Sequence, residues 1–215
     1  MIISIGRRYI FVHIPKTGGT AMALALEDRA MKDDIMLGDT PKARKRRRRV
    51  QGAKTRGRLW KHSTLADIEG LLPPGTLEGL FAFTLVRNPW DRMVSYYHWL
   101  QTQNFEHSAV KLSKELDFND FVLNPSTRAG QKAGTATRYM TRADGHEQCA
   151  AYIRIEAYHE DIAPLAAHLG FTPTLPRTNT SERDRDYRRY FNDSTAEVVA
   201  QDCQADITHF GYTFG

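Results

Sequence analysis

The sequence predicts an α/β fold with a central parallel sheet flanked by helices. Apolar, β-prone runs occur at residues 9–14, 80–86 and 152–155, and a helix-forming stretch follows each of them. Strands that alternate with helices favour a parallel sheet with helices on its faces. The 215 residues, 41% of them hydrophobic, are enough for one substantial core. We therefore predict a single domain over residues 1–215.

The first strand–turn–helix unit covers residues 9–27. Residues 9–14 are continuously apolar, which is typical of a buried parallel strand. The loop Pro-Lys-Thr-Gly-Gly-Thr at 15–20 follows at once, and residues 20–27 are good helix formers. The sequence thus predicts a Gly-rich loop between a buried strand and a helix N-terminus.

The second unit repeats this order over residues 80–100. Its strand is followed by Asn88, a favoured N-cap, and by Pro89, which suits the first helical position. The patterns elsewhere are weaker. They predict a short helix from Ser63 or Thr64, a helix at 117–123, a loop at 124–137, a helix at 161–169 that stops at Gly170, and a last helix from a capping box at 194–197 to about 208.

The positive charge is concentrated in one segment. Residues 42–58 contain ten lysines or arginines and no acid, whereas the rest of the chain has 20 basic and 25 acidic residues. We predict a basic loop or lid there. Three interpretations are open: it binds an anionic glycan acceptor, it binds nucleic acid, or it is a solvated loop without a function. Nucleic acid is disfavoured because no aromatic residues are interleaved with the basic ones.

The loop at 15–20 has the features of an anion site. Backbone N–H groups at a helix N-terminus attract an anion by hydrogen bonding and through the helix dipole. Gly18 and Gly19 let the backbone approach the anion closely. Lys16 adds a full positive charge, and Thr17 and Thr20 add hydroxyl donors.

The order of residues in this loop differs from that of nucleoside triphosphatases. Their phosphate loop reads G-x-x-x-x-G-K-[ST], with lysine after the second glycine, whereas Lys16 precedes both Gly18 and Gly19. No strand ends in an obvious metal-binding aspartate. We predict a P-loop-like three-layer fold. The order of residues in the loop disfavours an activity that depends on ATP and Mg²⁺. A nucleotide-dependent kinase and a polyanion-binding module are the alternatives.

Residues 12–20, Val-His-Ile-Pro-Lys-Thr-Gly-Gly-Thr, resemble the 5′-phosphosulfate loop of sulfotransferases that use 3′-phosphoadenosine-5′-phosphosulfate (PAPS). They are especially similar to carbohydrate sulfotransferases of the heparan sulfate 2-O type and their bacterial relatives. The resemblance implies that the loop binds the phosphosulfate of PAPS and that Lys16 stabilises the leaving group. It also implies a hydroxyl-bearing acceptor, a glycan in those relatives, and no metal.

Residues 85–97 resemble the 3′-phosphate motif of the same family, in which an arginine at a strand end and a serine eight residues later hold the phosphate. The match falls on Arg87 and Ser95. Open α/β sheets bind ligands at the carboxyl ends of their strands, and a guanidinium fork suits a phosphate dianion. The alternative for Arg87 is a structural ion pair with Asp91.

The acceptor hydroxyl must lose a proton as it attacks sulfur, and an imidazole of near-neutral pKa suits that step. His62 lies in the stretch where the relatives carry a catalytic histidine, so the resemblance makes it the expected base. Some sulfotransferases use a glutamate instead. His13 is expected to be packed and His98 to lie on the surface. The mechanism implied is an in-line transfer that works through positioning and charge stabilisation.

Weaker likenesses to the family extend towards the end of the chain. Residues 153–156 resemble its late strand, residues 178–181 its C-terminal loop near the cofactor, and residues 210–212 its closing segment. No individual ligand is assigned in these stretches.

Three further features bear on the kind of protein. Cys149 and Cys203 fit no metal spacing and are expected to be free thiols. No apolar stretch approaches the ~18 residues that a membrane span needs. The first residues lack the pattern of an export signal, so we predict a cytoplasmic protein.

Overall fold

The computed structural model describes residues 1–176 and 183–215, and these form two compact units. The first unit comprises Met1–Val86 and residues 136–176, and the second comprises Arg87–Thr135 and residues 183–215. The single domain over residues 1–215 stays a prediction. The likeness noted at residues 178–181 lies outside the described residues.

A five-stranded sheet forms the centre of the first unit. The strands are Ile2–Ser4 (β1), Tyr9–Val12 (β2), Ile35–Met36 (β3), Phe81–Val86 (β4) and Ala151–Arg154 (β5). Their order in the sheet is β3-β1-β2-β4-β5, in which β2, β4 and β5 are parallel and β1 is antiparallel to both β2 and β3. The runs predicted as strands therefore form the parallel part of the sheet, and two very short strands extend it on one side.

The α-helices of the described residues occur in both units. In chain order they are Gly19–Glu27 (α1), Pro41–Arg46 (α2), Pro89–Gln101 (α3), Ser108–Glu115 (α4), Phe118–Leu123 (α5), Pro125–Lys132 (α6), Ala136–Met140 (α7), Tyr158–Asp161 (α8), Ala163–Leu169 (α9), Asp193–Asp202 (α10) and Gln204–Phe210 (α11). Short 3₁₀ helices occur at Arg47–Val50, directly after α2, and at Tyr187–Tyr190, before α10.

Both faces of the sheet are covered in the first unit. Successive strand residues point to opposite faces, so Phe11 and Phe83 pack with α1, α8 and α9 on one side. Ile10 and Ala82 pack on the other side with Met140 of α7 and the turns before β4. Because both faces of the sheet are buried, the central strands have apolar residues at successive positions rather than at alternate ones. The predicted α/β fold, with a layer on each side of the sheet, is confirmed.

The described part of the second unit is helical. Trp90, Val94 and Tyr97 of α3 pack against Phe121 of α5 and Val199 of α10. At the start of α3 the side chain of Asn88 accepts the backbone N–H of Trp90 at 3.1 Å, and Pro89 is the first helical residue. The predicted cap is therefore confirmed.

Two local predictions are wrong. Residues 124–137 are not a loop but contain α6 and the start of α7, because Asn124 caps α6 as Asn88 caps α3. No helix starts at Ser63 or Thr64. Thr64 and Asp67 instead exchange side-chain-to-backbone hydrogen bonds of 2.8 and 3.2 Å, which close a single turn.

The basic segment and the last capping box also differ from expectation. Residues 42–50 are helical rather than a loop, since Pro41 starts α2 and the lysines, arginines and alanine that follow are good helix formers. The capping box of α10 pairs Asn192 with Thr195 rather than residues 194 and 197. The helix thus begins two residues earlier, and it breaks at Cys203 before α11.

Candidate functional site

The Gly-rich loop joins β2 to α1 through left-handed backbone. Lys16 has φ +67° and Gly18, the N-cap of α1, has φ +89°. Within the described parts of the chain no side chain caps this helix. The N–H groups of Gly19 and Thr20 lie in its first turn, where helix geometry provides no preceding carbonyl. The loop therefore presents the uncapped N-terminus of a nine-residue helix, as an anion site requires.

Packing also favours glycine at both positions of the loop. A Cβ atom on Gly18 would lie 2.3 Å from Cδ1 of Ile155, the residue that follows β5. A Cβ atom on Gly19 would lie 2.1 Å from Cδ2 of His13. The sequence analysis links these glycines to close approach of an anion. The structure adds that a Cβ atom would displace the end of the Ile155 side chain at position 18 and the buried His13 ring at position 19.

The two threonines of the loop have different environments. Thr17 is buried, and its hydroxyl donates to the carbonyl of Ile14 at 3.0 Å. Thr20 is exposed and Lys16 is half-buried. The hydroxyl of Thr17 thus stabilises the conformation of the loop by donating to Ile14, while Thr20 is exposed to solvent.

His62 is attached to this loop by its backbone. Its Nδ1–H donates to the carbonyl oxygen of His13 at 2.7 Å. Since a carbonyl only accepts, the proton is on Nδ1 and the lone pair is on Nε2. The ring stands edge-on to those of His13 and Trp60, with centroids 4.6 and 5.0 Å away. His62 is therefore half-buried and oriented, not an exposed loop histidine.

Burial keeps both histidines of this contact neutral. It lowers the pKa of His62 to about 4; the hydrogen bond to His13 opposes this effect, and the charge of Lys61 adds to it. Burial also lowers the pKa of His13 well below its ordinary value. His13 is packed, as predicted, with 7% of its surface exposed. At neutral pH, Nε2 of His62 is free of a proton and can accept one.

His98 differs from its prediction. It is half-buried rather than on the surface, and its ring lies 5.1 Å from that of Tyr190. Burial lowers its pKa as well.

The second predicted loop belongs to the second unit. Arg87 binds Asp91 through Nη2 at 2.6 Å and Nε at 2.8 Å, so the predicted ion pair is present. The other oxygen of Asp91 accepts from Nη2 of Arg183 at 2.6 Å. Ser95 is buried on α3. No local sequence pattern points to Arg183, which lies 92 positions from Asp91.

Neither a metal cluster nor a membrane helix occurs in the described ranges. No group of three or more His, Cys, Asp or Glu side chains is arranged there to hold an ion. No helix among residues 1–176 and 183–215 combines the length and the apolar character that crossing a bilayer needs. Cys149 and Cys203 are free thiols, as expected.

A comparison with protein-family models decides the family. The model described as "Sulfotransferase family" matches residues 1–212. The chain belongs to the sulfotransferase family. A search of curated proteins gives no match. The crystal structure of mouse sulfotransferase SULT7A1 complexed with PAP is similar to this chain, with 18% sequence identity over 94% of the present chain and a TM-score of 0.35. The aligned part spans 66% of the mouse chain.

The close approach of Ile155 to Gly18 predicts that a larger residue at position 18 destabilises the fold. Gly18→Ala should lower the free energy of unfolding by roughly 2–5 kcal/mol, through left-handed strain and overpacking against Ile155. Gly145→Ala is the matched control, because Gly145 has φ +83° but open space around it, and should cost only about 1–2 kcal/mol. Urea unfolding measures both. Adding Ile155→Val should recover part of the loss at Gly18, and equal costs at the two glycines would contradict the packing argument.

The buried histidines predict a loss of stability in acid. The pKa of His62 is depressed when folded, so the unfolded chain binds more protons between pH 6.5 and 4. The free energy of unfolding should therefore fall on acidification, by up to roughly 3 kcal/mol from His62. His62→Asn keeps an N–H for the carbonyl of His13 but does not titrate. The free energy of unfolding of this variant should depend less on pH between 6.5 and 4. If it changes with pH as steeply as in the unmodified protein, the pKa of His62 is not depressed by folding.

Proposed function

We propose that this protein transfers the sulfuryl group of PAPS to a hydroxyl of a carbohydrate. Membership of the sulfotransferase family supports the reaction class. The observation that carries the proposal is the direct link between a candidate base and an anion loop. His13 supplies the carbonyl that orients His62, and its ring lies against Gly19 at the start of α1.

The donor contacts follow from the chemistry of the two loops. Lys16 and the N–H groups of residues 17–20 would hold the 5′-phosphosulfate, where the dipole of α1 favours negative charge. Arg87 and Ser95 would hold the 3′-phosphate. Nε and Nη2 of Arg87 donate to Asp91, which orients the guanidinium, and a guanidinium fork matches the oxygens of a phosphate dianion.

The chemical step is an in-line displacement at sulfur. The acceptor oxygen forms a bond to sulfur while the bond from sulfur to the bridging phosphate oxygen breaks, which releases 3′-phosphoadenosine-5′-phosphate. Nε2 of His62 takes the hydroxyl proton, because its lone pair is unprotonated and its ring is oriented by His13. Lys16 stabilises the charge that develops on the leaving oxygen. This scheme uses no metal.

The role of His62 can be separated from donor binding. His62→Asn should reduce sulfuryl transfer by 10²–10⁴-fold, the usual contribution of a general base, because an amide cannot take up the proton. Affinity for 3′-phosphoadenosine-5′-phosphate should change less than twofold. Transfer of radiolabelled sulfate and calorimetric titration measure the two quantities. His146→Asn, at an exposed position, is the matched control. Retained turnover, or lost bisphosphate binding, in His62→Asn would remove His62 as the base.

Ligand stabilisation distinguishes the donor from ATP. At 100 times its dissociation constant, 3′-phosphoadenosine-5′-phosphate should raise the thermal midpoint by roughly 5–10 °C. ATP with Mg²⁺, and a DNA oligonucleotide, should raise it much less. Lys16→Ala should reduce the shift that the bisphosphate causes. Stabilisation by ATP with Mg²⁺ but not by the bisphosphate would favour the kinase alternative instead.

A further inference from the structure

An acidic residue lies between the two residues proposed to bind the 3′-phosphate. Asp91 is four positions after Arg87 and four positions before Ser95. Asp91 and Ser95 lie on the same face of α3, since residues four apart on a helix are neighbours, and Arg87 directly precedes the cap of that helix. All three belong to the second unit. A carboxylate repels a phosphate, so an acid in this row is unexpected at an anion site.

Both oxygens of the Asp91 carboxylate are engaged by arginines. Oδ2 accepts from Nε of Arg87 at 2.8 Å and lies 2.6 Å from Nη2 of the same guanidinium. Oδ1 accepts from Nη2 of Arg183 at 2.6 Å. The side chains of Arg87 and Asp91 are 17% exposed and that of Arg183 is 11% exposed. Charge-assisted hydrogen bonds that are shielded from water in this way hold a guanidinium in one orientation.

The cluster of Arg87, Asp91 and Arg183 has an excess of positive charge, because two guanidiniums share one carboxylate. In addition, Nη1 of Arg183 is buried and has no hydrogen-bond partner in the part of the chain that the structure describes. A buried N–H group without a partner costs free energy, and an anion nearby lowers that cost. The cluster is therefore suited to an anion and is more than an ion pair that closes the fold.

We propose that Asp91 is a positioning residue for the donor: it holds the guanidinium of Arg87 against Arg183, so that Arg87 is oriented for the 3′-phosphate before the donor binds. The proposal rests on the donor contacts proposed above. Ordering an arginine side chain costs rotamer entropy, and a residue that orders it in advance removes this cost from binding. Because both oxygens of Asp91 are engaged by guanidiniums, their positive charge offsets its repulsion of the phosphate.

Two nucleotides measure the contribution of the 3′-phosphate. 3′-Phosphoadenosine-5′-phosphate and adenosine 5′-phosphate differ only in that group, so the ratio of their affinities reports on it. In calorimetric titrations, Asp91→Asn should bind the bisphosphate about tenfold or more weakly, because an amide offers one acceptor oxygen and no charge to the two arginines. Its affinity for adenosine 5′-phosphate should change less than about twofold, since Asp91 acts only at the 3′-phosphate.

A double-mutant cycle tests whether Asp91 acts through Arg87. In the Arg87→Gln background, Asp91→Asn should weaken the bisphosphate by less than about a further twofold, because the residue that it positions is already absent. Asp91→Glu keeps the charge and both oxygens, and should retain more affinity for the bisphosphate than Asp91→Asn. Additive losses in the cycle would overturn the proposal. Bisphosphate binding by Asp91→Asn that is unchanged or tighter would show that the carboxylate only repels the phosphate.

Asp202→Asn is the matched control in the same unit. Asp202 accepts from Nε and Nη2 of Arg128 at 2.8 and 2.9 Å, and its side chain is 1% exposed. This variant therefore also breaks an arginine–aspartate pair, and it should lower the thermal midpoint while it leaves the ratio of the two affinities unchanged. If the ratio falls as far in Asp202→Asn as in Asp91→Asn, the effect is a general loss of structure and Asp91 has no positioning role.

A failure of the proposed donor site gives a different result. If the unmodified protein binds the two nucleotides equally, Arg87 and Ser95 do not hold a 3′-phosphate, and the role of Asp91 falls with that site. If the unmodified protein prefers the bisphosphate and Asp91→Asn keeps the full preference, the donor site stands and only the role of Asp91 is wrong.

Discussion

The hydrogen bond from Nδ1 of His62 to the carbonyl of His13 links the candidate site to the fold. It spans 49 positions of sequence at 2.7 Å, and it fixes both the tautomer and the direction of the His62 ring. His13 follows β2 directly, so the central sheet sets the position of that carbonyl. The His13 ring in turn requires glycine at position 19, where α1 begins. The strand, the anion loop and the base are thus held by one set of contacts.

The same contacts determine how the base behaves. Burial, with a smaller contribution from the charge of Lys61, lowers the pKa of His62 to about 4. Such an imidazole is available to accept a proton but is a weak base. An anion at the Gly-rich loop would act in the opposite direction, because negative charge favours the imidazolium form. In the proposed reaction, binding of the anionic donor would therefore raise the pKa of His62, the candidate base.

The sequence predicted those parts of the structure that local patterns determine. Continuous apolar runs identified the parallel strands, and Asn88 with Pro89 identified the start of α3. β1 and β3 have only three and two residues, too few for a periodic signal. Helix α6 was missed because its surface is largely exposed and polar, although Asn124 and Pro125 repeat the cap of α3. The pairing of Asp91 with Arg183 joins distant segments, so no local pattern reports it.

The basic segment shows most clearly why charge patterning alone does not predict a role. In the sequence its ten cations are equivalent, and a solvated loop was a reasonable interpretation. In the structure, a helix begins at Pro41 and continues as a 3₁₀ helix to Val50. Because successive residues of a helix point in different directions, neighbouring side chains lie in different environments. Arg46 and Arg49 donate to backbone carbonyls, while the side chains of Arg47 and Arg48, which lie between them in the sequence, are exposed. Function in such a segment depends on which cations the protein leaves without an internal partner, and only the folded chain determines that.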